Sequence, residues 1–385
     1  MAPTTPLTNQ GGRFVQTSAP PGVINLGLGQ PSPRLLPLAE FGHAASEQLR
    51  AGNDPLVLQY GVGRGYEDFR RALARFIAAE YEQAVDSDEL MVTGGTSSAL
   101  TFVSETFAHP GATVVTEDPT YFLAHEVFAC AGLELRGVPV DERGLDVDAL
   151  EQLLVGGLRP AFVYCIPAFQ NPTGVCLAPA RARRLVELAE AYAFVVVADE
   201  PYVALHSGPR PGSLSRYDEG RGCVLSLGSF SKLLAPGLRL GWAHGAPALV
   251  ERLANHGALR SGGCLNPVIA NIVHHTIDSG FLAAHVEELR AVFGRRSAAL
   301  SRALRERAPS ARFIAPGGGY FCWVDLGEGV DASALLERAE SLRFIPGSRC
   351  AVTRDLRRYA RLSFAFYEEH ELVEGVERLA TLLTS

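Results

Sequence analysis

Short apolar runs rich in β-branched residues alternate with helical patterns between residues 90 and 244. Seven of these runs predict strands: LMVTG (90–94), TVVTE (113–117), LELRGV (133–138), AFVYC (161–165), FVVVAD (194–199), CVLSLGS (223–229) and LRLGWAH (238–244). Their nearly continuous apolar character is typical of strands that are covered on both faces. Segments between them, such as 97–108 and 179–193, have helical periodicity. The pattern predicts a doubly wound, mostly parallel α/β sheet with ligand chemistry at the carboxyl ends of its strands.

The pattern changes after Asn266. Residues 266–279 and 281–307 have the periodicity of long amphipathic helices, and the strand-like run 359–366 precedes a final helix from about Glu368. Mixed strands and helices of this kind predict a smaller α+β domain that is attached through a long helix.

These patterns divide the chain into three parts. Residues 1–50 have too little periodicity to fold alone, so we expect an N-terminal arm and part of the small domain there. Residues 51–280 are expected to form the large ligand-binding domain, and residues 281–385 the small C-terminal domain. The first fourteen residues, MAPTTPLTNQGGRF, are predicted to be a flexible arm.

Composition excludes several classes of protein. The chain has 385 residues, a net charge of −7 and 47% hydrophobic residues, so it can bury a large core and is not expected to be disordered. No block of basic residues suggests a nucleic-acid partner. No apolar run approaches the ~20 residues that a membrane span requires. We therefore expect small-molecule partners, and neither nucleic acid nor membrane.

The cysteines indicate a reducing compartment. There are seven, scattered and without a CxxC pair, so neither a disulfide framework nor a cysteine zinc site is expected. The first residues lack the charged start and apolar stretch of a signal peptide. His274 and His275 are neighbours on a predicted helix and point apart, so no metal site is expected. The sequence predicts a cytoplasmic protein.

One lysine stands out among the basic residues. Of the 35 lysines and arginines, only Lys232 is a lysine, either because its amine is needed or by chance in an arginine-rich chain. It lies in the segment SFSKLLAPGLRLGW (229–242), directly after a predicted strand. Burial of an ammonium in an α/β core lowers its pKa, which makes the amine a nucleophile able to form a Schiff base. Ser229, Ser231 and Arg239 supply donors for a phosphate group.

Three further clusters follow other predicted strands. Asp199 ends an apolar strand, where only a cationic partner such as a protonated pyridine nitrogen keeps it ionised, and Tyr202 follows three residues later. Asn171 begins an NPTG turn, and its side-chain amide can donate to a phenolate oxygen on the same pyridine ring. The segment TGGTSS (93–98) joins a strand to a helix start, which makes an anion site.

Together these clusters resemble the fold-type I pyridoxal-phosphate enzymes, specifically the class I and II aminotransferases. The resemblance runs from INLGLGQPSP (24–33) to ARLSFAF (360–366), and the lysine segment is its most specific part. It implies a homodimeric enzyme that moves the amino group of an α-amino acid to a 2-oxo acid. Lys232 would hold pyridoxal 5′-phosphate as an internal aldimine and carry the proton. Asp199 would keep the ring nitrogen protonated.

The resemblance also assigns contacts to the cofactor and the substrate. Asn171 and Tyr202 would bind the 3′-oxygen of the ring, and Tyr121 would stack on its face. The phosphate group would be held at a glycine turn, a strand end and one arginine, namely Gly95, Thr96, Ser97, Ser229, Ser231 and Arg239.

Tyr60 would reach the phosphate of the neighbouring subunit, which is why a homodimer is expected. Arg361 would bind the substrate α-carboxylate, with Gly29 and Asn171 beside it. Cis peptides are expected at Asp118–Pro119 and Asn171–Pro172.

One alternative to transamination stays open on the sequence, and another is disfavoured. An enzyme of the same fold could catalyse elimination, cyclisation or oxidation of an amino acid instead of transamination. A pyridoxal-phosphate-binding transcriptional regulator is disfavoured, because the residues before INLGLG are too few for a helix-turn-helix.

Overall fold

The computed structural model describes residues 20–384. The predicted flexible arm, residues 1–14, lies outside the described residues. Fourteen strands are assigned in it: β1 Ile24–Asn25, β2 Leu90–Thr93, β3 Thr113–Asp118, β4 Glu134–Asp141, β5 Gly144–Leu145, β6 Phe162–Cys165, β7 Val195–Asp199, β8 Val224–Ser229, β9 Gly241–Gly245, β10 Arg312–Phe313, β11 Phe321–Asp325, β12 Leu342–Arg343, β13 Ile345–Pro346 and β14 Tyr359–Ser363.

Twelve α-helices are assigned in residues 20–384: α1 Leu38–Gln48, α2 Glu67–Tyr81, α3 Thr96–Phe107, α4 Phe122–Cys130, α5 Val147–Val155, α6 Pro179–Tyr192, α7 Pro247–Ala254, α8 Gly257–Gly262, α9 Pro267–Asp278, α10 Phe281–Arg307, α11 Ala332–Arg338 and α12 Glu369–Thr384. The helices predicted at 97–108, 179–193, 266–279 and 281–307 are confirmed to within a few residues. None of the helices in this part of the chain combines the length and apolar character needed to cross a bilayer.

Eight strands form the large sheet, in the order β2-β9-β8-β7-β6-β3-β4-β5. The four neighbouring pairs from β8 to β4 are parallel, whereas β9 is antiparallel to both β2 and β8. All seven predicted strands belong to this sheet, which confirms the doubly wound α/β prediction. Chain order reverses between β3 and β6, so a crevice is expected outside their carboxyl ends.

Helices cover both faces of this sheet. One apolar cluster packs α3, α4 and α7 on one face, and a second packs α5 and α6 on the other. The prediction that every strand is covered on both faces is wrong for β4, the strand predicted at 133–138. Only Val138 of β4 is buried. This strand lies next to the two-residue β5 at the edge of the sheet, where less helical surface is available to cover it.

A second, antiparallel sheet has the order β10-β11-β14-β13 and includes the strand predicted at 359–366. The N-terminal segment packs beside it, because β1 pairs in parallel with β12 and the Asn25 N–H donates to the Tyr367 hydroxyl at 2.9 Å. Helix α1 packs instead on α9. The domain boundaries at 50/51 and 280/281 stay a prediction.

A third apolar cluster joins the two sheets. It contains Leu90 and Trp242 from the large sheet together with Val324 and Leu362 from the second sheet, with α10 between them. Shared burial of this kind fixes the second sheet over the carboxyl ends of β3, β6, β7 and β8.

Candidate active site

Lys232 lies on the turn that follows β8, close to the crevice. Its Nζ donates a hydrogen bond to the carbonyl oxygen of Gly29 at 2.8 Å and lies 5.4 Å from the centre of the Tyr320 ring. Burial, together with the positive charge of Arg361, lowers the pKa of the Lys232 amine to about 8. An amine with this pKa gains and loses a proton near neutral pH.

Asp199 ends the neighbouring parallel strand β7 and is 3% exposed. Its Oδ2 accepts a hydrogen bond from the Tyr164 hydroxyl at 2.9 Å, while its Oδ1 has no hydrogen-bond partner among the described residues. Burial raises the pKa of Asp199 to about 7, although the hydrogen bond from Tyr164 and the charge of Lys232 oppose this. A buried carboxylate oxygen without a partner is costly, so it marks a place for a hydrogen-bond donor.

The start of α3 lies beside Arg239, an arrangement that suits an anion. Gly95 precedes the helix with φ of 88°, and a Cβ at this position would lie 3.1 Å from Arg239 Nη2. Glycine therefore permits both the left-handed turn and the close approach of the guanidinium. The first N–H groups of a helix have no partner within it, and the helix dipole favours a negative group there.

Tyr121 and Asn171 follow the two strands at which chain order reverses. The cis peptides predicted at Asp118–Pro119 and Asn171–Pro172 are confirmed. Burial raises the pKa of the Tyr121 hydroxyl to about 12, so this ring stays neutral. Tyr202 is buried, and its ring packs edge-on against Phe321.

Arg361 reaches the crevice from β14, on the opposite side from the large sheet. Its Nη1 donates to Asn171 Oδ1 at 2.9 Å, its Nη2 donates to the Gly27 carbonyl oxygen at 2.8 Å, and its guanidinium lies 4.1 Å from the centre of the Phe321 ring. The side chain is 3% exposed, and burial lowers its pKa from the ordinary value. Arg361 is nevertheless a permanent positive charge, since a guanidinium retains its proton in proteins.

A cavity of about 480 Å³ brings these groups together. Twelve of the fourteen predicted site residues line it: Gly29, Thr96, Ser97, Tyr121, Asn171, Asp199, Tyr202, Ser229, Ser231, Lys232, Arg239 and Arg361. The other two are elsewhere. Gly95 lies directly behind the lining, at the start of α3, whereas Tyr60 lies outside the cavity and is 81% exposed.

The cavity has two walls of different origin. The large-sheet wall consists of residues after the strands of the large sheet and at the start of α3: Thr96, Ser97, Tyr121, Asn171, Asp199, Tyr202, Ser229, Ser231, Lys232 and Arg239. The opposite wall consists of residues from the N-terminal segment and the second sheet: Gly27, Gly29, Phe321, Ile345 and Arg361.

The sequence analysis missed most of the apolar lining and the partner of Asp199. Phe122, Phe321 and Ile345 line the cavity, but each lies in an apolar stretch that looks like ordinary core. Tyr164 had a detectable signal. A tyrosine inside the apolar strand AFVYC needs a hydrogen-bond partner for its hydroxyl once it is buried.

The residues of the large-sheet wall fit pyridoxal phosphate. Asp199 offers its unpartnered Oδ1 to a protonated ring nitrogen, Lys232 offers an amine to the aldehyde carbon, and the α3 start with Arg239 offers donors to the phosphate. Three such groups on one cavity match the three parts of the cofactor.

Known proteins agree with this fit. The family model "Aminotransferase class I and II" matches residues 21–379. Over 96% of its length the chain is 34% identical to aromatic-amino-acid aminotransferase 1 of Thermococcus litoralis, covering 89% of that protein. Over 94% of its length it is 35% identical to 2-aminoadipate transaminase of Thermus thermophilus, covering 90% of that protein.

This chain is also similar in fold to a solved structure that contains a phosphopyridoxyl compound. The crystal structure of α-aminoadipate aminotransferase from Thermus thermophilus, complexed with N-(5′-phosphopyridoxyl)-L-leucine, superposes with a TM-score of 0.85 at 33% identity, over 94% of this chain and 92% of that one. The chain therefore belongs to the class I and II aminotransferases and is an aminotransferase that depends on pyridoxal phosphate.

Proposed function

We propose that this aminotransferase uses α-amino acids with apolar or aromatic side chains as amino donors and a 2-oxo acid as acceptor. The observation that carries the proposal is the setting of Arg361, a buried cation in an apolar wall. Its guanidinium contacts the Phe321 ring and lies 5.6 Å from the centre of the Phe122 ring. A substrate whose α-carboxylate pairs with Arg361 therefore places its side chain beside aromatic and aliphatic groups.

Arg361 binds and orients the substrate in this scheme. Asn171 Oδ1 and the Gly27 carbonyl hold its two Nη atoms, so the plane of the guanidinium is fixed before a substrate arrives. A preorganised cation loses little side-chain entropy on binding a carboxylate. Asn171 accepts from Arg361 through Oδ1, which leaves its amide N–H groups to donate to the 3′-oxygen of the cofactor.

Lys232 moves the proton. Its amine lies in the cavity beside the Gly29 carbonyl. A pKa of about 8 lets Nζ take a proton from the substrate Cα and deliver it to another carbon atom. Pyridoxal phosphate, when bound, supplies an electron-accepting ring that stabilises negative charge at this carbon. Asp199 keeps the ring nitrogen protonated, and Tyr121 covers the ring face and excludes water.

The other site residues bind the cofactor. Tyr202 donates to the 3′-oxygen together with Asn171. The phosphate group is held by donors at the α3 start and on the β8 turn, namely Gly95, Thr96, Ser97, Ser229, Ser231 and Arg239.

The active unit is a homodimer in the cytoplasm. Exposed apolar side chains cluster at Leu56, Leu58, Tyr60 and Val62, which supports cover by a second copy of the chain. Tyr60 then donates to the phosphate in the partner's cavity. All seven cysteines are free, which supports a reducing compartment.

A donor screen tests the substrate class. We expect kcat/KM for phenylalanine or leucine to exceed that for aspartate by at least about tenfold, since an apolar wall leaves a second carboxylate unpaired. The matched comparison is leucine against aspartate, which have side chains of similar size and opposite polarity. Preference for aspartate would contradict the proposal.

A half-reaction separates transamination from elimination and oxidation. With donor alone, each chain should release about one equivalent of 2-oxo acid and then stop, because the amino group remains on the cofactor. Continued ammonia release or oxygen uptake would show another outcome.

A further inference from the structure

Asp118 joins the large sheet to the second sheet through a buried carboxylate. It ends β3 and is 0% exposed. Its Oδ1 accepts from the Val352 N–H at 3.0 Å, and its Oδ2 accepts from the Thr353 N–H at 2.8 Å, the Thr353 hydroxyl at 3.0 Å and the Arg354 N–H at 3.0 Å. All four donors belong to one short segment far away in the sequence.

Backbone contacts strengthen the same joint. The Thr120 N–H donates to the Cys350 carbonyl at 3.0 Å, and Arg354 Nη1 donates to the Asp118 carbonyl at 3.1 Å. Gly137 on β4 allows the close approach, because a Cβ there would lie 2.9 Å from Asp118 Oδ2 and 3.1 Å from Val352 Cβ. The joint therefore consists of residues 118–120 on one side and segment 350–354 on the other.

Both sides of the joint lead directly into the active site. Asp118 is followed three residues later by Tyr121, on the large-sheet wall. Segment 350–354 connects β13, which carries Ile345, to β14, which carries Arg361, on the opposite wall. The joint therefore connects the two walls of the cavity.

The physical chemistry makes the joint specific. Removing a carboxylate from water costs free energy, and its hydrogen bonds offset this cost only when every one of them is made. The donors of segment 350–354 supply this compensation only in the observed position. A displaced segment would leave the buried carboxylate of Asp118 without these donors.

We propose that Asp118 is a positioning residue that holds segment 350–354 on the large sheet and thereby sets the position of Arg361 relative to the cofactor. This inference rests on the proposed role of Arg361 as the carboxylate-binding group. Asp118 then affects substrate binding, although it contacts neither the cofactor nor the reacting atoms.

The test replaces Asp118 with asparagine, which keeps the size but presents an N–H₂ group to backbone N–H donors. We expect the Asp118→Asn variant to raise KM for both the amino donor and the 2-oxo acid about tenfold, with a cofactor dissociation constant within about twofold of the parent. Hydrogen exchange of the amides at 352–354 should also become faster.

Asp218→Asn is the matched control. Asp218 is half-buried and accepts from the backbone N–H groups of Gly222, Cys223 and Val224 at 2.8–3.1 Å, so it also holds a short backbone segment, but this turn does not contact the cavity. Its KM values should match the parent. Equal KM values for Asp118→Asn and Asp218→Asn would overturn the proposal, as would a parallel loss of cofactor affinity in Asp118→Asn.

A double variant distinguishes this inference from the proposed function. In an Arg361→Ala background, Asp118→Asn should add little to KM, because both changes act on one interaction. Fully additive effects would overturn the positioning role. If Arg361→Ala alone leaves the donor KM unchanged, the carboxylate role of Arg361 fails instead.

A milder variant keeps the test valid if Asp118→Asn does not fold. Thr353→Val removes only the hydroxyl bond to Asp118 Oδ2, from an exposed residue. We expect a smaller rise in the donor KM in the same direction, about two- to fivefold. An unchanged KM in this folded variant would count against the joint.

Discussion

The two walls of the cavity differ in how the chain builds them. On the large-sheet wall, each group follows a strand or begins a helix, so its position comes from one sheet with a fixed register. On the opposite wall, Gly27 and Arg361 are more than 330 residues apart in sequence and meet through a hydrogen bond. The first wall is a local consequence of strand ends, whereas the second depends on how two sheets are held together.

This difference predicts how each wall responds to mutation. A change on the large-sheet wall removes a chemical group but leaves the large sheet in place. A change at the joint formed by Asp118 alters the position of the second sheet relative to the large sheet, and a change at Arg361 removes a group that the second sheet contributes. The largest effect is therefore expected at the reactive amine, and smaller effects where binding alone is affected.

Lys232→Arg should abolish turnover while the protein still binds pyridoxal phosphate through its phosphate and ring contacts. The guanidinium keeps the charge but stays protonated, so it forms no covalent link. Borohydride reduces a lysine–pyridoxal carbon–nitrogen double bond to a stable amine. Mass spectrometry of the reduced parent should find one pyridoxyl group per chain, on Lys232.

The control adds a second lysine away from the cavity. Arg302→Lys places an amine on the exposed face of α10. Reduction should still label Lys232 alone. Label on the added lysine or on the N-terminal peptide, or near-normal turnover by Lys232→Arg, would contradict the assignment.

Arg361→Ala tests the opposite wall. Loss of the buried cation should lower kcat/KM for the donor, mainly through a higher KM, because the α-carboxylate loses a charge-assisted partner. The decrease corresponds to about 2–4 kcal/mol of lost transition-state stabilisation. Cofactor affinity should change little, since Arg361 lies on the opposite wall and is not among the groups proposed to bind the cofactor. Steady-state kinetics and cofactor titration measure the two separately, and an unchanged KM would exclude the carboxylate role.

The same difference explains what the sequence could predict. Lys232, Asp199 and Asn171 were predictable because a reactive or polar group directly after an apolar run is a local signal. Tyr121 and Arg361 came from the family resemblance, because neither has a comparable local signal. All were found on the cavity.

Long-range packing was not predictable in this way. Nothing near Asp118 indicates that its carboxylate accepts from residues more than 230 positions away. Phe321 and Ile345 have the apolar character of any core residue, and only the pairing of β11 and β13 with β14 places them beside Arg361. The exposure of β4, by contrast, was indicated by Glu134 and Arg136 at alternate positions of the run 133–138.

The two walls also differ in how they bind protons, because Asp199 on the large-sheet wall titrates near neutral pH and Arg361 on the opposite wall does not. Asp199→Asn tests the proton on Asp199 in the apoprotein. The pKa of Asp199 is about 7 in the folded chain against an ordinary value of 3.8, so between these values the folded state holds a proton that the unfolded state lacks. The contribution of Asp199 to stability must therefore fall as the pH rises from about 4 to about 7. Asparagine can still accept from Tyr164 but does not titrate.

Urea unfolding at about pH 5 and about pH 8 measures the effect. The parent should lose stability relative to Asp199→Asn over this interval. Saturation with pyridoxal phosphate should remove the difference in trend, because a protonated ring nitrogen favours the ionised carboxylate. Equal pH trends in the two apoproteins would show that burial of Asp199 does not hold its proton.

The smallest effect is expected at Tyr60, which lies outside the cavity of its own chain. Tyr60→Phe should weaken cofactor retention about tenfold or less, through loss of one hydrogen bond to a phosphate. A hybrid dimer of one Tyr60→Phe chain and one Lys232→Arg chain decides which cavity the hydroxyl serves. If Tyr60 reaches across, the intact Lys232 cavity receives the partner's intact tyrosine and retains cofactor like the parent. If Tyr60 serves its own chain, that cavity keeps the Tyr60→Phe defect, and the intersubunit contact is wrong.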